Sequence, residues 1–385
     1  ERSFALGHAI GMLSYDAVTS APHGSVTPRG VTLSVLSGDA YRLVSAPETT
    51  ATLKTILDNR DAFDETTVRE AEELLDTVLD TTCLTEDEFV AREKLFDEAS
   101  AVWHDAKNAD DFAMFKPYLE KLVEGERVFA EKRRPATEPY DVLLDMFEKG
   151  ASRATLDPFF AALRRDLTPL VKAVGEKPAP NTAFLNVDFP LDRQRALSDK
   201  VMALMGIDRD HCAIGETEHP FTENFSKYDV RITTHYFEQD VLNSLYSVVH
   251  EGGHALYELG VADELQFTCL GTGASMGLHE SQSRFMENLI GRSKPFCDAL
   301  LPLLQEQFDS FKDVTAEQLY RAVNKAQPSL IRTEADELTY PMHIMIRYEL
   351  EKQLIGGSLK VAEVPEAWKA AYKDYLGVNV PNDKC

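Results

Sequence analysis

The sequence has few cysteines and no long hydrophobic run. Its five cysteines are widely spaced and form no C-x-x-C pair, which excludes a dense disulfide framework and predicts reduced thiols. No apolar stretch approaches the roughly 20 residues that span a bilayer, and the N-terminal residues lack the pattern of a signal peptide. We therefore expect a cytoplasmic protein without a membrane partner, although a chain that begins with Glu1 leaves a removed leader open.

Positive charge is also scarce. Lysine and arginine total 40 against 64 aspartates and glutamates, so the net charge is −24. A charge of this sign opposes binding to the phosphates of nucleic acids or to anionic membranes. We therefore expect no nucleic-acid partner. The length allows one large domain or two to three ordinary ones, and we expect a single catalytic domain over residues 1–385.

Hydrophobic periodicity predicts a mainly α fold. Segments such as 65–81 carry apolar residues at helical spacing. The proline-containing stretch "GEKPAPNT" at 175–182 predicts a boundary between an N-terminal helical lobe at 1–178 and a metal-binding lobe at 179–385. β-Branched and aromatic residues at 228–237 predict a strand, whose edge is suited to binding an extended peptide.

The segment "HEGGH" at 250–254 is the strongest chemical signal in the chain. On an α-helix, His250 and His254 project from one face about one turn apart, where both imidazoles reach a single ion. Glu251 then lies beside that ion. The flanking apolar residues recur every three to four positions and Gly260 marks a helix end, so the motif predicts a metal site on a helix.

Two glycines inside this motif argue against a helix unless they have a packing role. Each glycine costs about 1 kcal/mol relative to alanine in a helix interior. For Gly252 and Gly253 we therefore expect close approach of another backbone or of a substrate.

Two histidines leave a catalytic zinc ion short of its usual third protein ligand. Glu258 lies eight residues beyond His250, a helical rise of about 12 Å, and is expected as a surface charge or an outer partner of the site. Glu280 is the better candidate, with an ordinary solvated helix face as the alternative. Its segment carries an apolar stripe and an opposite polar face: Leu278, Phe285, Met286 and Leu289 against Glu280, Ser283 and Glu287.

Five motifs in order resemble the Taq-type family of thermostable metallocarboxypeptidases. They are "HPF" at 219–221, "DVRIT" at 229–233, "HEGGH" at 250–254, "HESQS" at 279–283 and "IRTEAD" at 331–336. The likeness extends from "MLSYDAVTSAP" near the start to "YLGVNVP" near the end. It therefore covers most of the chain.

The resemblance implies a mainly helical enzyme with a thermolysin-like metallopeptidase site in a long cleft between helical lobes and a small β-sheet beside the metal helix. It implies a homodimer that removes C-terminal residues from peptides. His250, His254 and Glu280 are implied as ligands of Zn²⁺, with Co²⁺ or another divalent metal as the alternative. Glu251 is implied as the general base.

A carboxypeptidase needs a cation for the terminal carboxylate, and the planar fork of arginine suits that task. Arg332, in the "IRTEAD" motif, and Arg347 are the candidates. Arg347 shares a polar helix face with Tyr340 and His343. The alternative for both arginines is an internal ion pair with one of three nearby carboxylates: Glu334, Asp336 or Glu351.

Three further residues are candidates for substrate contact. Asp229 and Arg231 alternate with apolar residues on the predicted strand, so they face the cleft or pair with each other. His219 contacts substrate or belongs to a turn fixed by Pro220. Asp336 is a weaker candidate for a hydrogen bond to a metal-bound imidazole.

Rival functions share the same ligands. An endopeptidase is one, and an aminopeptidase is another, although the G-x-M-E-N element expected before its metal helix is absent. The family continues into a G-x-x-Q-D-x-H-W motif and a tyrosine-bearing segment, whereas this sequence stops at "VNVPNDKC". We therefore keep a weakened or inactive member that binds peptides as the alternative function.

Overall fold

The computed structural model describes residues 2–384, apart from the side chain of His23, and these residues are mainly helical. The predicted mainly α fold is confirmed, and the segment at 65–81 falls within α4. The helices are α1 (Arg2–Thr19), α2 (Val26–Ser45), α3 (Pro47–Asp58), α4 (Glu65–Thr82), α5 (Glu86–Ala109), α6 (Phe112–Arg133), α7 (Pro139–Phe147), α8 (Arg153–Gly175), α9 (Leu191–Leu204), α10 (Val241–Leu259), α11 (Met276–Arg284), α12 (Lys294–Gln307), α13 (Ala316–Val323), α14 (Tyr340–Gly356) and α15 (Val364–Leu376).

The chain forms two compact units. The first contains residues 2–78 and 180–323, and the second contains residues 79–179 and 324–384. The chain passes between units next to the predicted boundary at 178/179, and also at 78/79 and 323/324. The assignment of two functional lobes to 1–178 and 179–385 stays a prediction.

A three-stranded sheet belongs to the first unit. Its strands are β1 (Cys212–Glu216), β2 (Thr222–Ser226) and β3 (Asp229–Thr234). Their order is β1-β3-β2, with β1 parallel and β2 antiparallel to β3. The predicted strand is confirmed as β3, but the expectation that it offers an edge to a peptide is wrong, because β3 is the central strand.

Each unit has its own hydrophobic core. In the first unit, α9, α10, α12 and β3 pack around residues such as Val201, Leu245 and Leu300. In the second unit, α14 packs against α15 through Met342 and Tyr372. Among residues 2–384, no helix combines the length and hydropathy that a membrane-spanning segment requires.

Four cysteines lie in the described part of the chain, and three of them are free thiols: Cys83, Cys212 and Cys297. That the cysteines are reduced stays a prediction. Cys385 lies outside the described residues.

Candidate metal centre

Helix α10 carries both histidines of the "HEGGH" motif. Asp240 caps its first turn by accepting hydrogen bonds from the amides of Leu242 and Asn243, each 3.1 Å long. The helix ends at Leu259, before Gly260. Its apolar face is buried in the core of the first unit, which fixes the direction in which the opposite, polar face points.

The two glycines of the motif lie where neighbouring groups approach α10 closely. A Cβ atom at Gly253 would lie 2.7 Å from the Cα of Ser283 and 2.9 Å from the carbonyl oxygen of Gln282, both in α11. A Cβ atom at Gly252 would lie 2.6 Å from the Cε of Met205. The expected close approach of another backbone is therefore found at Gly253.

Three potential metal ligands converge between α10 and α11. The Oε2 of Glu280 lies 3.5 Å from the Nε2 of His250 and 3.3 Å from the Nε2 of His254. Ligand atoms about 2.0–2.2 Å from a tetrahedral zinc ion are separated by about 3.4 Å. The donor set and its spacing therefore fit one divalent ion, and Glu258 is not part of this group.

The face of α11 that points inward is the polar one. Leu278, Phe285 and Leu289 of the predicted apolar stripe are 45%, 47% and 62% exposed, whereas Ser283 is buried. From Phe285 to Gly291 the chain continues as a π-helix. Of the predicted stripe, Met286 packs against the core of the first unit, and the predicted polar face supplies carboxylates to the histidines of α10.

The ring of His250 is held by a carboxylate on its other nitrogen. Its Nδ1 lies 2.9 Å from the Oε2 of Glu287, which belongs to the π-helix that follows α11. Arg284 and Arg292 donate to this carboxylate at 3.2 and 3.0 Å. Such outer partners orient a ligating imidazole and keep its free nitrogen toward the metal.

The ring of His254 is held by a chain of polar groups. Its Nδ1 lies 2.5 Å from the Nδ1 of His279, and the Nε2 of His279 lies 2.6 Å from the Oε1 of Glu258. Asn224 and Thr272 also donate to Glu258, which is buried. Of the two roles expected for Glu258, a surface charge or an outer partner of the site, the structure supports the outer partner. For His279 no role was predicted from the sequence.

The histidines and carboxylates of the centre shift each other's pKa values. Burial lowers the pKa of His250, but its hydrogen bonds to Glu280 and Glu287 outweigh burial and raise the pKa to about 9. Burial raises the pKa of Glu280, yet the two histidines bring it well below its usual range. Glu280 is therefore ionised, and a metal cation that binds here must displace the proton of His250.

Glu251 lies beside this cluster and points toward β2. Its side chain is almost completely buried and its Oε2 accepts a 2.7 Å hydrogen bond from the hydroxyl of Thr222. Burial raises the pKa of Glu251, and the neighbouring His250 offsets part of the rise. A carboxylate with a raised pKa is a stronger base.

The candidates on the sheet and the preceding turn belong to the first unit. Arg231 donates to both oxygens of Asp229 at 2.8 and 2.7 Å, so the mutual pairing expected as one alternative is present. Its guanidinium lies 4.9 Å from the ring centre of Phe225. His219 is exposed, and its carbonyl oxygen accepts a 2.8 Å hydrogen bond from Thr217 within the turn.

The two candidate arginines belong to the second unit. Arg332 donates to the hydroxyl of Tyr340 at 2.5 Å, and Arg347 donates to the carbonyl oxygen of His343 at 3.0 Å. In the described part of the chain, neither guanidinium has a carboxylate oxygen within 4.0 Å. The alternative of an internal ion pair is therefore wrong for both arginines.

Two of the three carboxylates of that alternative, Asp336 and Glu351, have other partners. Asp336 accepts hydrogen bonds from three amides of its own loop, Gln327, Leu338 and Thr339, which also leaves its proposed contact with an imidazole without support. Glu351 accepts a 3.0 Å hydrogen bond from Tyr140. These contacts leave the arginines available to a ligand.

His343 is fully buried, unlike a residue that contacts substrate. Its Nδ1 lies 3.1 Å from the hydroxyl of Tyr372, and its Nε2 has no hydrogen-bond partner. Burial, with Arg347 and Arg332 nearby, lowers the pKa of His343 to about 4. In this conformation it is a neutral core residue.

Known proteins resemble the chain along its whole length. The family described as "Carboxypeptidase Taq (M32) metallopeptidase" matches residues 1–385. Carboxypeptidase 1 of Bacillus subtilis is 37% identical over 379 residues, which cover 97% of this chain and 75% of that protein. Thermostable carboxypeptidase 1 of Thermus thermophilus is 40% identical over 296 residues, which cover 74% and 58%.

Solved structures share the fold. The M32 carboxypeptidase from Deinococcus radiodurans R1 has a TM-score of 0.95 at 34% identity, covering 100% of this chain and 78% of that one. Metallocarboxypeptidase 1 of Trypanosoma cruzi has a TM-score of 0.94 at 31% identity, covering 99% and 77%. The likeness in sequence is therefore matched by a likeness in fold.

Proposed function

Because the chain belongs to the Carboxypeptidase Taq (M32) metallopeptidase family, we propose that it is a zinc carboxypeptidase that removes C-terminal residues from peptides, with Glu251 as general base. Family membership indicates a metal-dependent carboxypeptidase. The observation that supports the finer proposal is the convergence of His250, His254 and Glu280 beside a buried carboxylate. The motif-based prediction of the family is confirmed.

Zinc is proposed because of the chemistry of the donors. Two imidazoles and one carboxylate are a usual catalytic zinc set, with a fourth position left for water. Glu287 and His279 hold the two rings so that each Nε2 faces Glu280. A divalent cation held by these three residues would supply Lewis acidity for acidifying water and polarising the scissile carbonyl.

Glu251 moves the proton in this scheme. It takes a proton from the attacking water, whose oxygen forms a bond to the carbonyl carbon of the peptide. It then delivers that proton to the departing amine as the carbon–nitrogen bond breaks. Thr222 orients the carboxylate for both transfers through its 2.7 Å hydrogen bond.

We propose Arg332 and Arg347 for the terminal carboxylate of the substrate, since neither has a carboxylate partner of its own. Tyr340 positions Arg332. The other candidates for contact with the peptide are His219, Asp229, Arg231 and His343, the last only if it becomes exposed.

The Glu251→Gln variant tests the mechanism. It should keep its zinc, because the side chain is not one of the three converging ligands. It should lose hydrolysis by several orders of magnitude, because the base is gone. The matched control is Glu264→Gln, an exposed glutamate of the same unit. A variant that lost its zinc, or kept most of its rate, would contradict the assignment.

A pair of peptides tests the direction of cleavage. A peptide with a free C-terminus should shorten one residue at a time from that end, as followed by mass spectrometry. Its C-terminal amide should be cleaved at least a hundredfold more slowly, because the arginines then meet no charge. Internal fragments, or equal cleavage of the amide, would indicate an endopeptidase.

We also propose a cytoplasmic homodimer. The family resemblance supports the dimer, and the wide spacing of the five cysteines supports the compartment. Sedimentation of the purified chain at several concentrations measures its oligomeric state, and a monomer throughout would contradict the dimer.

A further inference from the structure

Arg284 is the last residue of α11 and contacts two carboxylates of the metal centre. Its Nε donates a 2.9 Å hydrogen bond to the Oε1 of Glu280, one helical turn earlier. Its Nη1 donates a 3.2 Å hydrogen bond to the Oε2 of Glu287, in the π-helix that follows. One guanidinium therefore connects the proposed metal ligand Glu280 to the carboxylate that holds the ring of His250.

The two oxygens of Glu280 have different partners. Oε2 lies 3.5 and 3.3 Å from the Nε2 atoms of His250 and His254, and the hydroxyl of Ser283 lies 2.9 Å from it. Oε1 accepts the hydrogen bond from Arg284. A carboxylate binds a metal ion through one oxygen or through both. Because Arg284 holds Oε1, the carboxylate presents one oxygen to the histidines.

The rotation of this carboxylate depends on Arg284. The side chain of Glu280 is 44% exposed, and the last torsion of a glutamate has broad, shallow preferences. Among residues 2–384, Arg284 is the only hydrogen-bond donor to Oε1. Without it, the carboxylate could turn both of its oxygens toward an ion between the histidines.

The number of oxygens that Glu280 offers affects which ion the site prefers. A catalytic zinc ion usually takes three protein ligands and one water in a tetrahedral arrangement. Mn²⁺ prefers oxygen ligands and an octahedral shell. A second oxygen from Glu280 helps to fill the larger shell and crowds the smaller one. Control of Oε1 is therefore control of metal preference.

We propose that Arg284 is a positioning residue that restricts Glu280 to one metal-binding oxygen and so makes the site selective for zinc over ions with larger coordination shells. Through Glu287, the same guanidinium fixes this carboxylate relative to the ring of His250. The inference rests on the proposed metal centre, but it does not depend on peptide hydrolysis.

The relative affinity for two divalent ions tests this selectivity. The Kd values of Zn²⁺ and Mn²⁺ are measured by competition with chromophoric chelators in the wild type and in Arg284→Met. Loss of one positive charge strengthens the attraction for both divalent ions by nearly the same factor, so the charge effect cancels in the ratio of the two Kd values.

The ratio of the Mn²⁺ Kd to the Zn²⁺ Kd should fall at least about tenfold in Arg284→Met, because Oε1 becomes available to Mn²⁺. Arg284→Ala repeats the test with a side chain that suits a helix and packs differently. It should give a similar fall. An unchanged ratio in either folded variant, as judged by circular dichroism, would overturn the proposal.

Two control variants are matched to this test. Arg321 donates from its Nε to Glu317 at 2.9 Å, across the same four-residue spacing, on α13. Arg321→Met should leave both Kd values unchanged. Glu287→Gln disturbs the support of His250 but leaves Arg284 beside Oε1, so both ions should bind more weakly while the ratio stays within about threefold of the wild type. An equal fall of the ratio in Glu287→Gln and Arg284→Met would assign the effect to general disorder of the site and overturn the proposal.

Crystal structures of the Mn²⁺-loaded proteins identify the bonded oxygens. The ion should bond to one oxygen of Glu280 in the wild type and to both in Arg284→Met, and a single bonded oxygen in the variant would overturn the proposal. The two proposals fail in different ways. A wild type that binds neither ion would refute the metal centre and the proposed function with it, whereas zinc binding with an unchanged ratio in the variants would refute only the role of Arg284.

Discussion

Replacing Gly253 with alanine should damage the metal centre. The new Cβ atom would lie 2.7 Å from the Cα of Ser283 and 2.9 Å from the carbonyl oxygen of Gln282. Ordinary van der Waals contact begins at 3.4 Å, so α11 must retreat by about 0.7 Å, because two packed backbones cannot interpenetrate. Glu280 is on the same helix as Ser283, and its carboxylate moves with that helix.

The expected losses follow from this displacement. Metal sites tolerate errors of only about 0.2 Å in ligand distance, so Gly253→Ala should bind zinc about 10- to 100-fold more weakly. Overpacking costs about 1–3 kcal/mol, and the helix propensity of alanine offsets about 1 kcal/mol. The free energy of unfolding should therefore fall by up to about 2 kcal/mol.

Gly252→Ala is the matched control one residue away. Its Cβ atom would meet the Cε of Met205 at 2.6 Å, the end of a flexible side chain that rotates aside at little cost. Zinc affinity, measured by competition with a chromophoric chelator, should be unchanged, and urea denaturation should show equal or slightly higher stability. Wild-type zinc affinity in Gly253→Ala, or equal losses in both variants, would refute the reasoning.

Three other predictions concern the groups around this centre and the second unit. Glu287→Gln should weaken zinc binding about 10- to 100-fold, because the carboxylate no longer orients His250; an affinity equal to that of the Glu264→Gln control would contradict this. Leu289→Ser should change the free energy of unfolding by less than about 0.5 kcal/mol, because the side chain is exposed, and a loss above about 1 kcal/mol would indicate that it is buried. For His343, the pKa is lowered to about 4 in the folded chain against about 6.5 when unfolded. Its contribution to stability is therefore present above pH 6.5 and is lost as the pH falls toward 4. The loss should be up to about 3 kcal/mol, measured by urea denaturation across this range. A His343→Gln variant with the same pH dependence would contradict the assignment.

Local sequence patterns were sufficient to predict the helix that carries His250 and His254. The period of its apolar residues and the four-residue spacing of His250 and His254 are properties of one segment, so they predicted α10 correctly. The glycine pair also carried information, because its cost in a helix required a close neighbour, and the backbone beside Gly253 is that neighbour. Glu280 lies on another element, and its spacing from the histidines alone left it ambiguous until the family resemblance was considered.

The orientation of α11 could not be read from its own pattern. Burial of an apolar stripe is the usual rule for an amphipathic helix, but here Glu287 reaches His250 and Ser283 packs against Gly253. These partners come from α10, so the inward face depends on pairing between elements. His279 precedes Glu280 in the "HESQS" motif, and a histidine next to an expected ligand was a signal that could have identified it.

Contacts with residues distant in sequence also determine the position of the strand in its sheet and the partners of the arginines. Nothing within 228–237 indicates that β1 and β2 flank β3 on both sides. Similarly, carboxylates close to Arg332 in sequence suggested ion pairs. In the structure, Asp336 instead accepts hydrogen bonds from backbone amides of its own loop, because those amides need acceptors.

The central claim is that His250, His254 and Glu280 hold one catalytic metal ion beside Glu251. The most direct test is a crystal structure of the zinc-loaded protein with anomalous scattering measured at the zinc absorption edge. The account predicts one ion bonded to the Nε2 atoms of both histidines and to a carboxylate oxygen of Glu280, at about 2.0–2.2 Å, with Glu251 unbonded. An ion that is bonded to Glu251 or Glu287 in place of Glu280, or that lies elsewhere, would contradict it.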